Sequence, residues 1–440
     1  MAKPWHEMKE KLDSVSPSLC LAKWTQVTMH LQNGHTHSCH HPSTHKIPLE
    51  ELAVNPSALH NTNFKKQKRK EMLQGIKPKE CDYCWKIEDA APDAFSDRHY
   101  KSSFSWSHPH FDKIKNSTGE ENTDPTYVEV SFGNACNFKC MYCAPHISSK
   151  WMEEIKQHGP YPTTDRYNNL EWIQSQGQMP IPNNQHNPYQ EAFWKWWPQL
   201  YKSLHTFRIT GGEPLMAKDT FQVLKHIQKT DDPNTNLLLG INSNLGVPDK
   251  LLDRFIADTR KILDEKRVRK IELYTSAEAW DKRNDYIRYG MNYHDWINNL
   301  EKVIKALPEV PVTMMCAYNA LSISSFTLFL KDIELIREQY GRDCVYVDIP
   351  YVRHPNFMDC KIMKEGHMIK ESVAFMEKSK WFDPDETAKM ERILKYWEHN
   401  QRFDHSKAQN DLKLYLRELD KRRGTNFRST FPEFQDYYHG

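Results

Sequence analysis

The chain has 440 residues, enough to bury a full core and to form two or three domains. Its formal net charge is +2, so no overall field points to nucleic acid or to a membrane surface. The start, MAKPWHEMKEKLDS, lacks the apolar run of a signal peptide, and no stretch approaches 18 consecutive apolar residues, so we expect a cytoplasmic protein without membrane spans. Its ten cysteines favour metal or redox chemistry over a disulfide framework.

The first 100 residues are predicted to form a small domain around a β-hairpin. The stretch WTQVTMHLQNGHTHSC alternates as a hairpin does, and Asn33–Gly34 predicts a type I′ turn. Four cysteines accompany this hairpin as two pairs: Cys20, Cys39, Cys81 and Cys84. Two pairs of thiolates suit a zinc ribbon and an iron–sulfur cluster equally well on chemistry alone.

The same hairpin is rich in histidine, at His30, His35, His37, His40, His41 and His45. We expect these side chains to form the polar face of the hairpin and its turn, with metal binding or replacement of one cluster cysteine as the alternatives. The basic stretch NFKKQKRKEMLQG (63–75) predicts a helix with a solvated face, and phosphate contact is its alternative.

Six short apolar, β-branched segments alternate with helical patterns from residue 126 onward. They are TYVEVSFG (126–133), HTFRITGG (205–212), NLLLGINSN (236–244), KIELYTSAE (270–278), VPVTMMCAYN (310–319) and VYVDIPYV (345–352). Their nearly continuous hydrophobicity is typical of parallel strands buried on both faces. Six βα units in series predict a parallel α/β sheet, curled or doubly wound, with its active site at the carboxyl ends of the strands.

The loop after the first of these strands, NACNFKCMYCAPH (134–146), holds three closely spaced cysteines: Cys136, Cys140 and Cys143. A structural zinc site needs four ligands, and His146 is the candidate for the fourth. Three thiolates on a 4Fe–4S cluster would instead leave one iron without a protein ligand. That open iron can bind and activate a substrate.

Three further motifs end the next strands in order: GGEPL (211–215), NSN (242–244) and TSAEAW (275–280). Together with the cysteine spacing, and over residues 126–355, they resemble the radical SAM superfamily. The resemblance implies that the three loop cysteines hold a 4Fe–4S cluster and that the three motifs contact S-adenosylmethionine. The cofactor-binding residues it implies are Tyr142, Gly211, Gly212, Glu213, Pro214, Asn242, Ser243, Asn244, Ser276 and Glu278.

The N-terminal spacing, C-x13-G-x4-C followed by C-x2-C, resembles the twitch form of the SPASM domain. The chain therefore looks like the radical SAM proteins with an N-terminal twitch domain, which implies an auxiliary iron–sulfur cluster, expected to be 4Fe–4S, on the four N-terminal cysteines. The implied fold is α/β, with a partial (βα)6 barrel over 126–355 that contains an insert at 159–204. The hairpin and helix domain at 1–100 precedes the barrel, and a helical extension at 356–440 follows it.

The implied activity is reductive cleavage of S-adenosylmethionine and hydrogen abstraction from a peptide or protein. A small molecule such as an aminocyclitol is the alternative substrate, and an iron–sulfur electron carrier or an RNA-modifying enzyme are further alternatives. A reductase such as flavodoxin or ferredoxin is the expected partner, while nucleic acid and membrane are not expected. Three cysteines remain, Cys316, Cys344 and Cys360, and we expect them to be buried and unreactive, with hydrogen donation to a substrate radical as the alternative.

Overall fold

The computed structural model describes residues 4–91 and 93–439 of the chain. The helices are α1 (Pro4–Asp13), α2 (Ala22–Thr25), α3 (Leu49–Val54), α4 (Asn63–Leu73), α5 (Asp82–Ala90), α6 (Asp97–Ser103), α7 (Phe111–Lys115), α8 (Ser149–His158), α9 (Leu170–Ser175), α10 (Pro188–Ser203), α11 (Lys218–Lys229), α12 (Asp249–Asp264), α13 (Lys282–Ile287), α14 (Tyr293–Ala306), α15 (Phe326–Tyr340), α16 (Gly366–Lys378), α17 (Pro384–Asn400), α18 (Ser406–Arg423), α19 (Phe427–Thr430) and α20 (Asp436–His439). The strands are β1 (Gln26–His30), β2 (His35–His37), β3 (His45–Lys46), β4 (Tyr127–Ser131), β5 (Lys139–Cys140), β6 (Thr206–Thr210), β7 (Leu238–Asn242), β8 (Lys270–Thr275), β9 (Arg288–Tyr289), β10 (Val312–Met315) and β11 (Val345–Asp348).

A 9-stranded sheet forms the centre of the molecule, in the order β11-β10-β8-β7-β6-β4-β1-β2-β3. Each of the six predicted strand segments contains a strand of this sheet, and all six run parallel to their neighbours. The predicted α/β class with a parallel sheet is therefore confirmed. The N-terminal hairpin joins the same sheet, because β1 pairs in parallel with β4 over all five of its residues.

The two faces of the sheet differ, because one is fully buried and apolar whereas the other is only partly buried and more polar than predicted. On β4, Val128 and Val130 are fully buried, while Glu129 between them is only partly buried. In register with Glu129 lie Thr28 on one side and Arg208 on the other. The apolar face packs into one core with the buried side of the helices, whereas the polar face is only partly buried.

The hairpin turn also differs from the predicted type I′ turn. His30 pairs with His35, which leaves a four-residue connection, and only Gly34 in it has a positive φ, of 66°. A type I′ turn needs positive φ at both central residues. The chain cannot turn earlier because the amide of Leu31 still donates to the carbonyl of Ser131 on β4, at 2.9 Å.

A second, smaller core lies at the N-terminus, where α1 and α5 pack around Trp24 and Met72. Helix α4 borders it, and its basic run forms only in part the solvated face that was expected. Lys65 and Arg69 are buried, with Arg69 donating to the ring of His60 at 2.7 Å. Residues 356–439 are mostly helical, as predicted for the extension. Within the described part of the chain, no helix combines the length and apolarity that crossing a bilayer requires.

Candidate active site

The cysteine loop follows β4 at the carboxyl edge of the sheet, and its three cysteines line a cavity of about 310 Å³. Strand β5 lies within this loop and pairs antiparallel with β9, which sets Cys140 opposite Arg288. The hydroxyl of Ser149, at the start of α8, donates to the carbonyl of Cys136 at 3.2 Å. Contacts with β9 and with the start of α8 thus hold the loop on both sides.

The thiols of this loop are shielded from water. Burial, together with the neighbouring Cys140, raises the pKa of Cys136 to about 12, and burial and the other two sulfurs raise the pKa of Cys143 further. Burial raises the pKa of Cys140 as well, although the guanidinium of Arg288 opposes this effect. Burial therefore disfavours three free thiolates here, and binding to a soft metal centre would stabilise them.

The three thiols of this loop are soft donors of the kind that zinc ions and iron–sulfur clusters take. All three line the same cavity, which has room beside them. Among residues 4–91 and 93–439, no three His, Cys, Asp or Glu side chains are arranged to hold one metal ion.

The Gly211–Pro214 turn follows β6 and packs directly on the cysteine loop. Gly211 has a φ of 121°, a conformation that strongly favours glycine. A Cβ on Gly212 would lie 2.4 Å from the carbonyl oxygen of Ala135. The amide of Glu213 donates to that same carbonyl at 2.7 Å. Both glycines are therefore needed for close approach of the two loops that line the cavity.

Glu213 joins this turn to the segment after β7. Its carboxylate accepts hydrogen bonds from the Ser243 hydroxyl at 2.9 Å, the Asn244 amide at 2.6 Å and the Leu215 amide at 3.0 Å. Burial outweighs these donors and raises the pKa of Glu213 to about 7. Because both oxygens are engaged within the protein, Glu213 positions the turn and leaves ligand contact to the backbone.

All three residues of the NSN motif line the cavity. The side-chain oxygen of Asn242 accepts from Arg208 Nε at 3.0 Å, and Asn244 Nδ2 donates to the side-chain oxygen of Asn137 at 2.9 Å. Asn244 is thus tied to the cysteine loop. The Nδ2 group of Asn242 has no hydrogen-bond partner within the described residues, which leaves it as a donor at the cavity wall.

Tyr142 and Ser276 line the cavity, as predicted, but Glu278 lies behind it. The fully buried Glu278 carboxylate pairs with Arg288 at 2.7 Å and accepts from the Tyr142 hydroxyl at 3.0 Å. Arg288 in turn lies 3.8 Å from the sulfur of Cys140 through Nη1. Glu278 therefore acts on the cavity through Arg288, which sequence analysis missed because the β5–β9 pairing leaves no local pattern.

The C-terminal extension reaches the cysteine loop, which was also not predicted. The hydroxyl of Tyr415 on α18 donates to the carbonyl of Met141 at 3.0 Å. Arg423, at the end of the same helix, donates to the carbonyl of Lys139 at 2.9 Å and pairs with the buried Glu154 at 3.1 Å. Helix α18 thus holds β5 from the side opposite the sheet.

The four N-terminal cysteines line a second cavity of about 30 Å³: Cys20, Cys39, Cys81 and Cys84. Burial, with help from neighbouring thiols, raises the pKa of Cys20 and of Cys81 to about 12. The ammonium of Lys23 is buried beside them and pairs with Glu80. The structure therefore brings the two predicted pairs to one place.

The two cysteine groups lie at opposite ends of the sheet. His37 pairs with Thr28, so Cys39 falls near the amino end of β1, whereas Cys136 follows the carboxyl end of the neighbouring β4. Five strand residues correspond to roughly 15 Å. The polar face of the sheet fills the interval between the two groups.

Of the hairpin histidines, His30 and His37 lie within this interval, and both are partly buried. Nε2 of His30 and Nε2 of His37 are 3.3 Å apart, and His37 Nδ1 contacts the carbonyl of Cys39. Burial lowers the pKa of both imidazoles to about 4, so they are neutral. His41 lines the cavity of the four N-terminal cysteines. Nδ1 of His146 is buried without a partner among the described residues.

The other cysteines lie apart from both cavities: Cys316, Cys344 and Cys360. Cys316 and Cys360 are fully buried, and burial raises the pKa of each thiol well above its usual range. The residues on either side of Cys316, Met315 and Ala317, do line the larger cavity. The alternation of the strand turns Cys316 itself away from it.

No protein-family model matches this sequence, and no curated protein matches it. The family assignment therefore depends on the motif residues themselves.

Proposed function

We propose that this chain is a radical SAM enzyme that reductively cleaves S-adenosylmethionine and abstracts a hydrogen atom from a peptide or protein substrate. The observation that carries the proposal is the composition of one cavity wall. Three thiols of one loop, a diglycine turn and an Asn-Ser-Asn segment, from three different strand ends, line the same space. A carrier protein would need the thiols but not the other two elements.

The proposed fold is the partial (βα)6 barrel of that superfamily. The polarity of the sheet supports it, since one face packs into the apolar core and the other carries charged side chains. The polar face is also covered at its far edge, where Lys389 of α17 donates to Asp348 of β11 at 2.6 Å. A sheet that curls around a polar interior has this distribution, whereas a flat doubly wound sheet has two apolar faces.

In this proposal Cys136, Cys140 and Cys143 hold a 4Fe–4S cluster, which with S-adenosylmethionine supplies the 5′-deoxyadenosyl radical when both are bound. The diglycine turn offers backbone groups without side chains, so the amino-acid part of a ligand can lie against it. Asn242 Nδ2 offers a donor for the ribose. Arg288, held charged by the buried Glu278, fixes Cys140 and places positive charge near the thiolates.

The four N-terminal cysteines are proposed to hold the auxiliary cluster. Four thiols line this cavity, and Asp97, the one carboxylate among its described lining residues, is paired with His41 at 2.6 Å, which favours complete cysteine ligation. Lys23 and Arg98 line the same cavity and would balance the negative charge of four thiolates. Closed ligation suits electron relay or stabilisation of the fold better than direct binding of substrate.

The substrate is proposed to enter the polar interval between the two cysteine groups. Glu129 on β4 is partly buried, and no hydrogen bond from the described residues reaches its carboxylate, although Arg208 lies near it. Such side chains can bind the backbone and polar groups of a peptide. A small polar molecule such as an aminocyclitol remains the alternative, because the same groups would bind hydroxyls and amines.

The test is anaerobic reconstitution with iron and sulfide, reduction with dithionite, and chromatographic measurement of 5′-deoxyadenosine. We expect slow release of this product without substrate, and none from the variant in which all three loop cysteines are alanine. A matched control changes the three other cysteines, Cys316, Cys344 and Cys360, to alanine and should retain the product. Failure of the reduced wild type to form 5′-deoxyadenosine would overturn the proposal.

A further inference from the structure

A basic groove lies on the outside of the sheet, between α10, α11 and α12, with a volume of about 700 Å³. It is lined by Trp194 from α10, by Arg254 from α12 and by one face of α11, which presents Lys218, Gln222, Lys225 and Lys229. Spacings of four, three and four residues put those four side chains on a single helical stripe.

The lysines of this groove are free for a partner. Lys218, Lys225 and Lys229 are exposed, and within the described ranges none has a carboxylate within 4.0 Å. Other surface lysines are commonly paired, as Lys195 is with Glu191 at 2.6 Å. A chain whose net charge is only +2 therefore concentrates unpaired positive charge on one helix face.

One end of the groove lies near the segment that precedes the cysteine loop. Helix α11 begins four residues after Pro214, so Lys218 lies near the carboxyl edge of the sheet. Trp194 donates to Asp219 at 2.9 Å, and its ring is stacked on Phe132 with 6.1 Å between centroids. Phe132 is four residues before Cys136, a span of at most about 14 Å. The groove thus ends beside the segment that leads to the proposed cluster.

We propose that this groove docks a small acidic one-electron carrier of the flavodoxin type. The inference rests on the proposed function, since only a reducible cluster needs such a donor. The carrier loses one electron and the cluster gains it, with no atom transferred. Flexible, unpaired lysines around a partly exposed tryptophan suit a small transient interface, as electron-transfer complexes have, and their positive charge speeds the encounter.

Single-stranded nucleic acid would also be attracted to lysines beside an aromatic ring. The observations favour the acidic carrier because Trp194, which lines the groove, stacks on Phe132, four residues before Cys136. A nucleic-acid site has no reason to end there. The low net charge of the chain likewise gives no long positive track for a polynucleotide.

The test uses reconstituted holoenzyme and measures the rate at which pre-reduced flavodoxin bleaches the oxidised clusters in stopped flow. The variant K218E/K225E/K229E should react about tenfold or more slowly than wild type at low salt. The difference should shrink toward zero near 1 M salt, where the Debye length is about 3 Å. Reduction by dithionite, which needs no docking, should be unchanged in the same variant.

A matched control reverses three exposed lysines on α15, α16 and α18: K331E/K378E/K407E. This control changes the net charge by the same amount but lies outside the groove. Its rate of reduction by flavodoxin should therefore fall far less than that of the groove variant. The milder variant K218Q/K225Q/K229Q should be reduced by flavodoxin at a rate between those of wild type and the charge reversal. This intermediate rate would show that the effect does not come from misfolding of the charge-reversed variant. Iron content should be the same in all variants.

Equal flavodoxin rates in wild type and the groove variant would overturn the docking proposal, as would a wild type that dithionite reduces and flavodoxin does not. Loss of oligonucleotide binding in fluorescence anisotropy, with flavodoxin rates unchanged, would assign the groove to nucleic acid instead. If dithionite-reduced wild type forms no 5′-deoxyadenosine, it is the proposed function that fails. The two failures therefore give different results.

Discussion

The Arg288–Glu278 pair offers a quantitative test of how the cysteine loop is held. Arg288 donates to Glu278 at 3.1, 2.9 and 2.7 Å, and the two side chains are 7% and 0% exposed. Removing one partner of such a buried pair costs about 3–5 kcal/mol, because the other charge stays buried and unpaired. We expect Arg288→Met to lose that much free energy of unfolding in urea and to release iron to a chelator several-fold faster than wild type.

The control is Arg337→Met, at a pair that lies away from both cavities. Arg337 and Glu386 are 2% and 0% exposed and 2.5 Å apart, so the loss of unfolding free energy should be similar. Iron release should remain near the wild-type rate, because Arg337 touches no cysteine loop. Restoring charge balance with Glu278→Gln in the Arg288→Met background should recover part of the stability. Equal iron release in the two single variants would refute a specific role for Arg288.

Three further predictions test other parts of the site. Gly212→Ala should cost about 1–3 kcal/mol of unfolding free energy, since its Cβ would press on the carbonyl of Ala135, and an unchanged urea midpoint would argue against that contact. Because burial raises the pKa of Glu213 to about 7, the folded state holds a proton that the unfolded state releases. Wild-type stability should therefore fall by about 3 kcal/mol from this group as pH rises from about 5 to about 8, a slope absent in Glu213→Gln, and parallel pH curves would contradict it. The last prediction concerns the four N-terminal cysteines, Cys20, Cys39, Cys81 and Cys84. Replacing them by alanine should remove about half of the iron, whereas stoichiometric zinc in anaerobically purified protein would favour the zinc ribbon.

The parallel strands could be predicted because local composition specifies them. Each predicted segment contains a strand, and the motifs at their ends converge on one cavity because carboxyl ends of parallel strands share an edge. The diglycine turn is likewise a local property, since its φ of 121° at Gly211 and the close approach at Gly212 need glycine.

Features that depend on pairing between distant segments could not be predicted. Strand β1 joins β4 across about a hundred residues, and this pairing buries histidines that composition alone marks as polar surface. Arg288 reaches Cys140 only through the short β5–β9 ladder, and Tyr415 reaches Met141 from the last long helix. Such contacts leave no hydrophobic pattern in the local sequence, because each partner lies in an ordinary helix or strand.

The central claim is that three loop cysteines hold a cluster whose open iron binds S-adenosylmethionine. The most direct measurement is electron–nuclear double resonance on the reduced variant that lacks the four N-terminal cysteines, with S-adenosylmethionine labelled by ¹⁷O in the carboxylate and ¹⁵N in the amino group. We predict hyperfine coupling of both nuclei to the reduced cluster, together with a shift of its resonance when the ligand is added. A reduced cluster whose spectrum is unchanged by the ligand and shows neither coupling would contradict the account.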